Sequence, residues 1–377
     1  MPTQRKPVLF LSIMVAVVLA VADPTWAAKG GKGKPGGDTP EPPLELPNVR
    51  YTILRIPAPD GTDAVCGVNS DFSMVFGNYR VTGDYTETGS TGFLYSPATD
   101  VFYDLNQLAP FFQVPESLPA DWWTTWHILR VKAVNELGDA VGNVVDADDV
   151  VRGYLLETGL NPDLATFQIL PQEGLNSNQI ETLDINVQGD ILGRYIRPEG
   201  SPEGPVDAYI YNPWTDEHPL PFGINLKASW IWMNNSRQVA GNLWNDGAFF
   251  DPNPRPGMPS LQILDEAEGM AVWGLNDNGV LCGTARVRID GRGPEKSFGC
   301  RYNTQLEAPE LELIMEDGRP EDINSDADVI LDGPEGVVLA HTGIAEGEEQ
   351  LWRVSDLISE TDPERALWLN NQGYLYR

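Results

Sequence analysis

The 377-residue chain carries 55 acidic and 25 basic side chains, a formal charge of −30 at pH 7. Such a surface repels phosphate backbones and anionic head groups, which argues against nucleic acid and membrane-surface partners. A hydrophobic share of 41% can build a core, whereas 37 glycines and 31 prolines exclude a long-helix protein and point to a loop-dense β fold.

The first 27 residues read as a secretory signal. Arg5 and Lys6 give the charged start, Val8 to Val21 form an apolar run of 14 residues, and Pro24 breaks it. That run is short of the roughly 20 residues a membrane span needs. The small residues Thr25 and Ala27 then set cleavage after Ala27. No second apolar run follows, so the mature chain is expected to have no membrane span and to be secreted, periplasmic or displayed at the cell surface. Residues 28–47 are Gly, Lys and Pro without apolar periodicity, the composition of a flexible tether. Lys29, Lys32 and Lys34 could touch an anionic wall polymer, although a plain spacer explains them as well.

From residue 48 to 377 one unit recurs: an apolar residue, Asn, two variable residues, usually Gly, then an alternating apolar stretch ending in Gly. The copies start at Asn69, Asn135, Asn186, Asn234, Asn276, Asn324 and Asn370, with separations of 66, 51, 48, 42, 48 and 46 residues. A period near 50 falls in the range of propeller blades rather than helical solenoids. After most copies comes an aromatic strand, as in Gly92-Phe93-Leu94-Tyr95, Gly153-Tyr154-Leu155-Leu156, Ala208-Tyr209-Ile210-Tyr211 and Gly247-Ala248-Phe249-Phe250. A short apolar strand (FQILP, LQIL, LELIM) then precedes the next Asn.

Asn-x-x-Gly between apolar runs is a tight hairpin, because both residues tolerate left-handed backbone angles and the Asn side chain can bond back to the chain. On this reading the seven asparagines are structural turn residues, and Asn186→Ala loses about 1 kcal/mol, one local bond. The Val-x-Gly ending closes the second strand. Each unit holds four strands: lead-in, hairpin pair and aromatic strand. A unit that must bury both faces against its neighbours predicts an all-β, single-domain β-propeller of about seven four-stranded blades, with six as the alternative. Tyr51 to Ile56 serves as the first lead-in and Leu367 to Tyr376 as the seventh hairpin. Leu44 to Leu46 is a candidate for the missing final strand. A closed ring of this kind predicts a monomer, whereas open blade edges would favour assembly into a surface layer.

The hairpin (Ile/Val/Leu)-Asn-x-x-Gly-x-(Val/Leu)-x-Gly followed by (Gly/Ala)-(Phe/Tyr)-(Leu/Ile)-Tyr resembles the bacterial extracellular repeats called the HAF family, over roughly residues 51–377. The His-Ala-Phe triplet that names the family is absent, and Phe72, Arg237, Ala327 and the short C-terminal copy depart from the pattern. The resemblance implies an exported, propeller-like repeat protein and carries no catalytic residues.

Candidate sites are few. The longest interval, 66 residues, contains PESLPADWWTTW. Its Trp122, Trp123 and Trp126 could stack on sugar rings, or could instead pack an inserted loop onto the repeats. The carboxylates Asp146, Asp148 and Asp149, and Asp326, Asp328 and Asp332, are spaced as Ca²⁺ ligands can be, yet lack the Gly and closing Glu of a calcium loop. Solvated turns explain them, as they do Asp184 and Asp322, and no metal or cofactor is expected. His127, His218 and His341 lie far apart, no nucleophile motif accompanies them, and no carboxylate pair can be singled out for glycoside chemistry. Cys282 and Cys300 fall on neighbouring strands of one repeat, where either a cross-strand disulfide or buried thiols would fit; Cys66 is left over. The resulting expectation is a non-catalytic extracellular binding or scaffold module for a protein or glycan. The rival is a carbohydrate-binding or carbohydrate-active propeller using residues 116–126.

Overall fold

The computed structural model describes residues 15–18, 52–55, 59, 62–69, 73–81, 89–159, 161–162, 165–171, 179–196, 206–215, 220–221, 228–243, 246–257, 259–264, 270–288, 295–306, 311–324, 327–334, 336–342 and 349–353. They form an all-β structure with six four-stranded antiparallel sheets, each an up-and-down meander.

The first sheet takes Thr62–Val68, Val75–Val81, Ser90–Ser96 and Val101–Asp104. The second takes His127–Val134, Ala140–Val145, Val151–Glu157 and Thr166–Ile169. The third holds Gln179–Ile185, Ile191–Ile196, Val206–Tyr211 and Leu220–Pro221. The fourth holds Ala228–Met233, Val239–Leu243, Asp246–Phe250 and Leu261–Leu264. Met270–Leu275, Val280–Val287, Lys296–Asn303 and Leu311–Glu316 make the fifth. The sixth is Arg319–Ile323, Val329–Gly333, Gly336–Thr342 and Glu349–Arg353.

The four-strand unit is as expected, but its phase is not. The strands of FQILP, LQIL and LELIM are fourth strands of the preceding sheet, paired to its aromatic strand. The strand that feeds each hairpin runs directly into the Asn. Thr52–Arg55 pairs with Val15–Val18 and does not lead into the Asn69 hairpin. Leu44 to Leu46, Leu367 to Tyr376 and Asn370 lie outside the described residues.

Successive sheets share apolar clusters. Leu192, Ala208 and Ile210 of the third pack on Met233, Val239 and Ala248 of the fourth, and Val280 and Cys282 of the fifth on Ile323, Val329, Leu331 and Ala340 of the sixth. Second strands therefore lie between two neighbours, and Ala140–Val145 is buried along its whole length.

Each hairpin closes with the Asn N–H bonding to the carbonyl four residues on, and the N–H three residues on bonding back to the Asn carbonyl, at Asn135, Asn186, Asn234, Asn276 and Asn324. Among the described hairpin residues only the fourth position takes a left-handed angle: φ is 85° at Gly138, 79° at Gly189 and 72° at Gly279. The Asn does not, which corrects one half of the turn argument. Arg237 and Ala327, two of the sequence departures, adopt it all the same, at 61° and 65°. A left-handed alanine is strained by about 1–2 kcal/mol, whereas glycine costs about 0.5–1 kcal/mol of chain entropy. Ala327→Gly should therefore raise unfolding free energy in urea by about 0.5–1 kcal/mol; an unchanged or lower value would show that the turn is not strained.

The Asn side chain reaches beyond its own hairpin. Nδ2 of Asn69 donates to the carbonyl of Asn135 at 3.2 Å, Asn135 to Asn186 at 3.3 Å, and Asn186 to Asn234 at 3.3 Å. The relay continues from Asn234 to Asn276 at 3.0 Å and from Asn276 to Asn324 at 2.8 Å. A second tie lies deeper. The hairpin-feeding strands of sheets two to six carry a bulge three residues before the Asn, at Lys132, Leu183, Ile231, Trp273 and Glu321. Beside it, the Thr182 N–H bonds to Asn143 Oδ1 at 3.0 Å and the Val272 N–H to Asn242 Oδ1 at 2.7 Å, each from the preceding sheet.

The Val-x-Gly glycine sits mid-strand rather than at a strand end. Gly142 pairs with Tyr154 and Gly193 with Tyr209, and the aromatic ring lies across the glycine. Tyr154 thereby reaches the first strand, donating to the Arg130 carbonyl at 3.1 Å. This explains why an aromatic strand follows the glycine strand in the repeat.

Cys282 and Cys300 are buried thiols that are not joined in a disulfide. The disulfide option is corrected by register: Cys282 pairs with Arg301 and Cys300 with Gly283, so the two thiols point to opposite faces. They join different clusters, Cys282 facing the sixth sheet and Cys300 the fourth.

Candidate functional site

The tryptophans of the insertion are not an exposed platform. Trp122 starts a short 3₁₀ turn, Trp122–Thr124, and is 1% exposed. Its indole stacks on Phe167 with ring centroids 4.4 Å apart and meets Trp126 edge-on at 6.3 Å. Trp123 and Trp126 pack against the same cluster. The insertion also covers an edge: Gln113 bridges Thr166 in parallel, with the Phe167 N–H bonding to the Gln113 carbonyl at 2.7 Å. At its start, Asn106 clamps Ile128 of the second sheet, accepting from its N–H at 2.8 Å and donating to its carbonyl at 3.0 Å.

The carboxylate runs serve turns. Asp146 Oδ1 accepts the N–H groups of Asp148 and Val150, and Oδ2 pairs with Arg152 Nε at 2.6 Å. Burial alone would raise its carboxyl, but these bonds bring it below the ordinary value. Asp184 accepts the Met233 N–H across the sheet junction at 2.8 Å, and Asp328 accepts Asn324 Nδ2 at 3.1 Å. Asp326, His218 and the His341 side chain lie outside the described residues. Among those described, no three His, Cys, Asp or Glu side chains gather as a metal-binding set.

The structure draws attention elsewhere, to a cleft of about 710 Å³ between the second and third sheets, at the end where their hairpins lie. One wall is Glu136, Leu137 and Asp139 of the hairpin with Glu157 at the end of the third strand and Thr158 and Gly159 of the turn after it. The other is Val187, Gln188 and Gly189 of the next hairpin with Trp214. Both walls follow from the repeat. In the second, third and fifth sheets the residue just after the third strand reaches back to lock its own hairpin: Thr158 Oγ1 donates to the Gly138 carbonyl, Asn212 Nδ2 to the Gln188 carbonyl, and Thr304 Oγ1 to the Gly279 carbonyl. Asn212 also accepts the Trp214 N–H at 3.0 Å, fixing the turn that carries the indole.

Trp214 is 50% exposed and Leu137 57%. The indole lies over Gly189 so closely that a Cβ there would overlap the ring. Gly189 thus serves twice, supplying the left-handed turn angle and the floor beneath the indole. Asp139 is buried, near Asn135 Nδ2 at 3.5 Å. Burial pushes its carboxyl above the usual range, against the lowering effect of Asn135 and of the Thr158 N–H. Glu157 accepts Gln168 Nε2 at 2.7 Å; its carboxyl is raised first by burial and then by the charge of Asp139. Trp214, Asp139 and Glu157 escaped sequence reasoning. The one available signal was Asn212-Pro213-Trp214, a tryptophan where the next repeat has Asp251-Pro252-Asn253.

No protein-family model matches the chain, and no curated protein matches it. Among solved structures it is similar to the β-propeller domain of the Trilobed protease from Pyrococcus furiosus, at 10% identity and a TM-score of 0.45, over 83% of this chain and 84% of that one. It is also similar to the polysaccharide lyase Uly1, at 9% identity and a TM-score of 0.40, over 83% of this chain and 85% of that one.

Proposed function

We propose that the chain is an exported β-propeller of about seven blades, related to HAF-type repeats, that acts as a non-catalytic binding module and engages its partner at the cleft between the second and third blades. The observation that carries the binding role is Trp214, a half-exposed indole braced over Gly189 beside the exposed Leu137 and two carboxyls. An aromatic ring that is rigid before the ligand arrives loses little entropy on binding. The side chains that recur from sheet to sheet are used in holding sheets together, which leaves the cleft as the specialised place. The ring reading rests on the Asn relay: a seventh hairpin at Asn370, taking Asn324 and passing on to Asn69, would close it. A glycan reading retains its footing only through Trp214, since Trp122 is buried against Phe167.

Residues 28–377 should bind members of a combined peptide and glycan array, and Trp214→Ala should weaken that binding at least 10-fold with an unchanged melting curve. Binding that survives Trp214→Ala, or an array with no binder, would overturn the site. Export is tested separately by N-terminal sequencing of the secreted protein, which should begin at Ala28.

A further inference from the structure

We propose that this cleft is a seat for an arginine side chain of a basic partner protein, gripped by Asp139 and Glu157 and stacked on Trp214, an inference that rests on the binding-module reading and names its ligand.

The chain supplies its own precedent one junction further on. Asp190 stands four residues after Asn186, as Asp139 stands four after Asn135. Asp190 is held by Asn212 Nδ2 at 2.9 Å and neutralised by Arg237, whose Nη2 lies 2.8 Å from Oδ1. Arg237 comes from the third position after Asn234, so the hairpin of the fourth sheet hands a guanidinium to the buried aspartate of the third. At the preceding junction the matching position is Gly189, which has no side chain to offer. Among the described residues neither Asp139 nor Glu157 forms an ion pair, and a second carboxyl has been added where the later junction needs only one. A cation from outside completes the pattern.

Three features select arginine. The planar guanidinium donates in a fork to carboxylates while its face lies on an indole, which an ammonium cannot do. Cation–π attraction is strongest at tryptophan; the chain already uses this contact, with the Arg319 guanidinium 4.4 Å from the Trp273 ring centre. The net charge of −30 steers basic partners toward the molecule. Among the described residues, the charged groups facing the seat are all acidic: Glu136, Asp139 and Glu157 from the second sheet, with none from Val187, Gln188, Gly189 or Trp214 opposite. A cation binds the ionised carboxyls, so affinity falls as pH falls. Because both carboxyls are raised, the loss begins at milder acidity than ordinary carboxylates would give.

The test follows the Trp214 indole N–H resonance, identified among the 10 tryptophans of residues 28–377 by Trp214→Phe, while residues 28–377 are titrated with acetyl-Gly-Arg-Gly-amide. Saturable shifts are expected with the arginine peptide, at least 3-fold weaker affinity with its lysine analogue, and none with the citrulline analogue, which has the same shape without the charge. Asp139→Asn with Glu157→Gln should lower affinity at least 10-fold. Should that variant fold poorly, Gly189→Arg with Trp214→Asn recreates the Asp190–Arg237 arrangement and should also abolish binding. Equal affinity for arginine and citrulline peptides, or a shift by glycans that the carboxyl variant retains, overturns the arginine assignment while leaving a binding cleft. Loss of array binding in Trp214→Ala with no response to arginine does the same. An array in which nothing depends on Trp214 overturns both.

Discussion

Asn186→Ala should lower the unfolding free energy by about 3 kcal/mol, well above the 1 kcal/mol expected for one local turn bond. In the folded chain Asn186 Oδ1 accepts the Asp190 N–H at 2.8 Å, while Nδ2 donates to Asp190 Oδ2 at 3.0 Å and to the Asn234 carbonyl at 3.3 Å. Asn186 and Asp190 are both buried, each 4% exposed. Alanine leaves the Asp190 N–H without its acceptor and takes a donor each from Asp190 Oδ2 and from the Asn234 carbonyl, which keeps only the Arg237 N–H; a buried polar group that loses its partner costs about 1–3 kcal/mol. Asn186→Asp separates the two roles, since it keeps the acceptor but loses the donor to the neighbouring sheet and sets a second charge against Asp190. It should cost at least as much as alanine at neutral pH. Chemical denaturation of both variants checks this, and an alanine cost of 1 kcal/mol or less would return Asn186 to a purely local turn role.

The hairpin and the four-strand unit were legible because their causes are local. Asn bonds to N–H groups two to four residues away, glycine supplies the left-handed angle, and alternation marks the strands. What escaped depends on partners distant in sequence. The Asn135 and Asn186 relay bonds span 51 and 48 residues, and nothing in an Asn-x-x-Gly motif indicates a donor left over for the next sheet. The phase of the unit was ambiguous for the same reason. A short apolar strand such as LQIL has no internal mark that makes it the last of one sheet rather than the first of the next, and only its pairing with Gly247–Phe250 decides. Cys282 and Cys300 looked pairable as neighbours, whereas a register offset of one residue turned them to opposite faces. Trp122 to Trp126 drew notice by composition, yet burial is decided by Phe167 of the second sheet. The cleft needed the third dimension outright, since Asp139 and Trp214 come from different repeats.

Gly193→Ala carries the other large expected effect, about 2–3 kcal/mol of destabilisation. Its backbone angle lies outside the left-handed region, so strain is not the cause and the substitution alone would gain about 0.4–1 kcal/mol by stiffening the unfolded chain. Packing reverses the sign. Gly193 pairs with Tyr209 on the aromatic strand and with Thr182 on the hairpin-feeding strand. The Tyr209 ring crosses directly over it, and an added methyl would overlap the ring and its hydroxyl. Tyr209 is 1% exposed and packs with Ile180 and Tyr195, so the ring has nowhere to retreat, and forced overpacking typically costs 1–3 kcal/mol or more. A double-mutant cycle isolates the mechanism. Tyr209→Ala alone should cost about 3–5 kcal/mol through the cavity it opens. Adding Gly193→Ala should then cost almost nothing, giving a coupling of about 2 kcal/mol between the two sites. Additive costs would mean that the glycine is needed for its backbone. Coupling of the expected size would mean that the repeat keeps glycine there so that an aromatic ring from the third strand can span the second and brace the first.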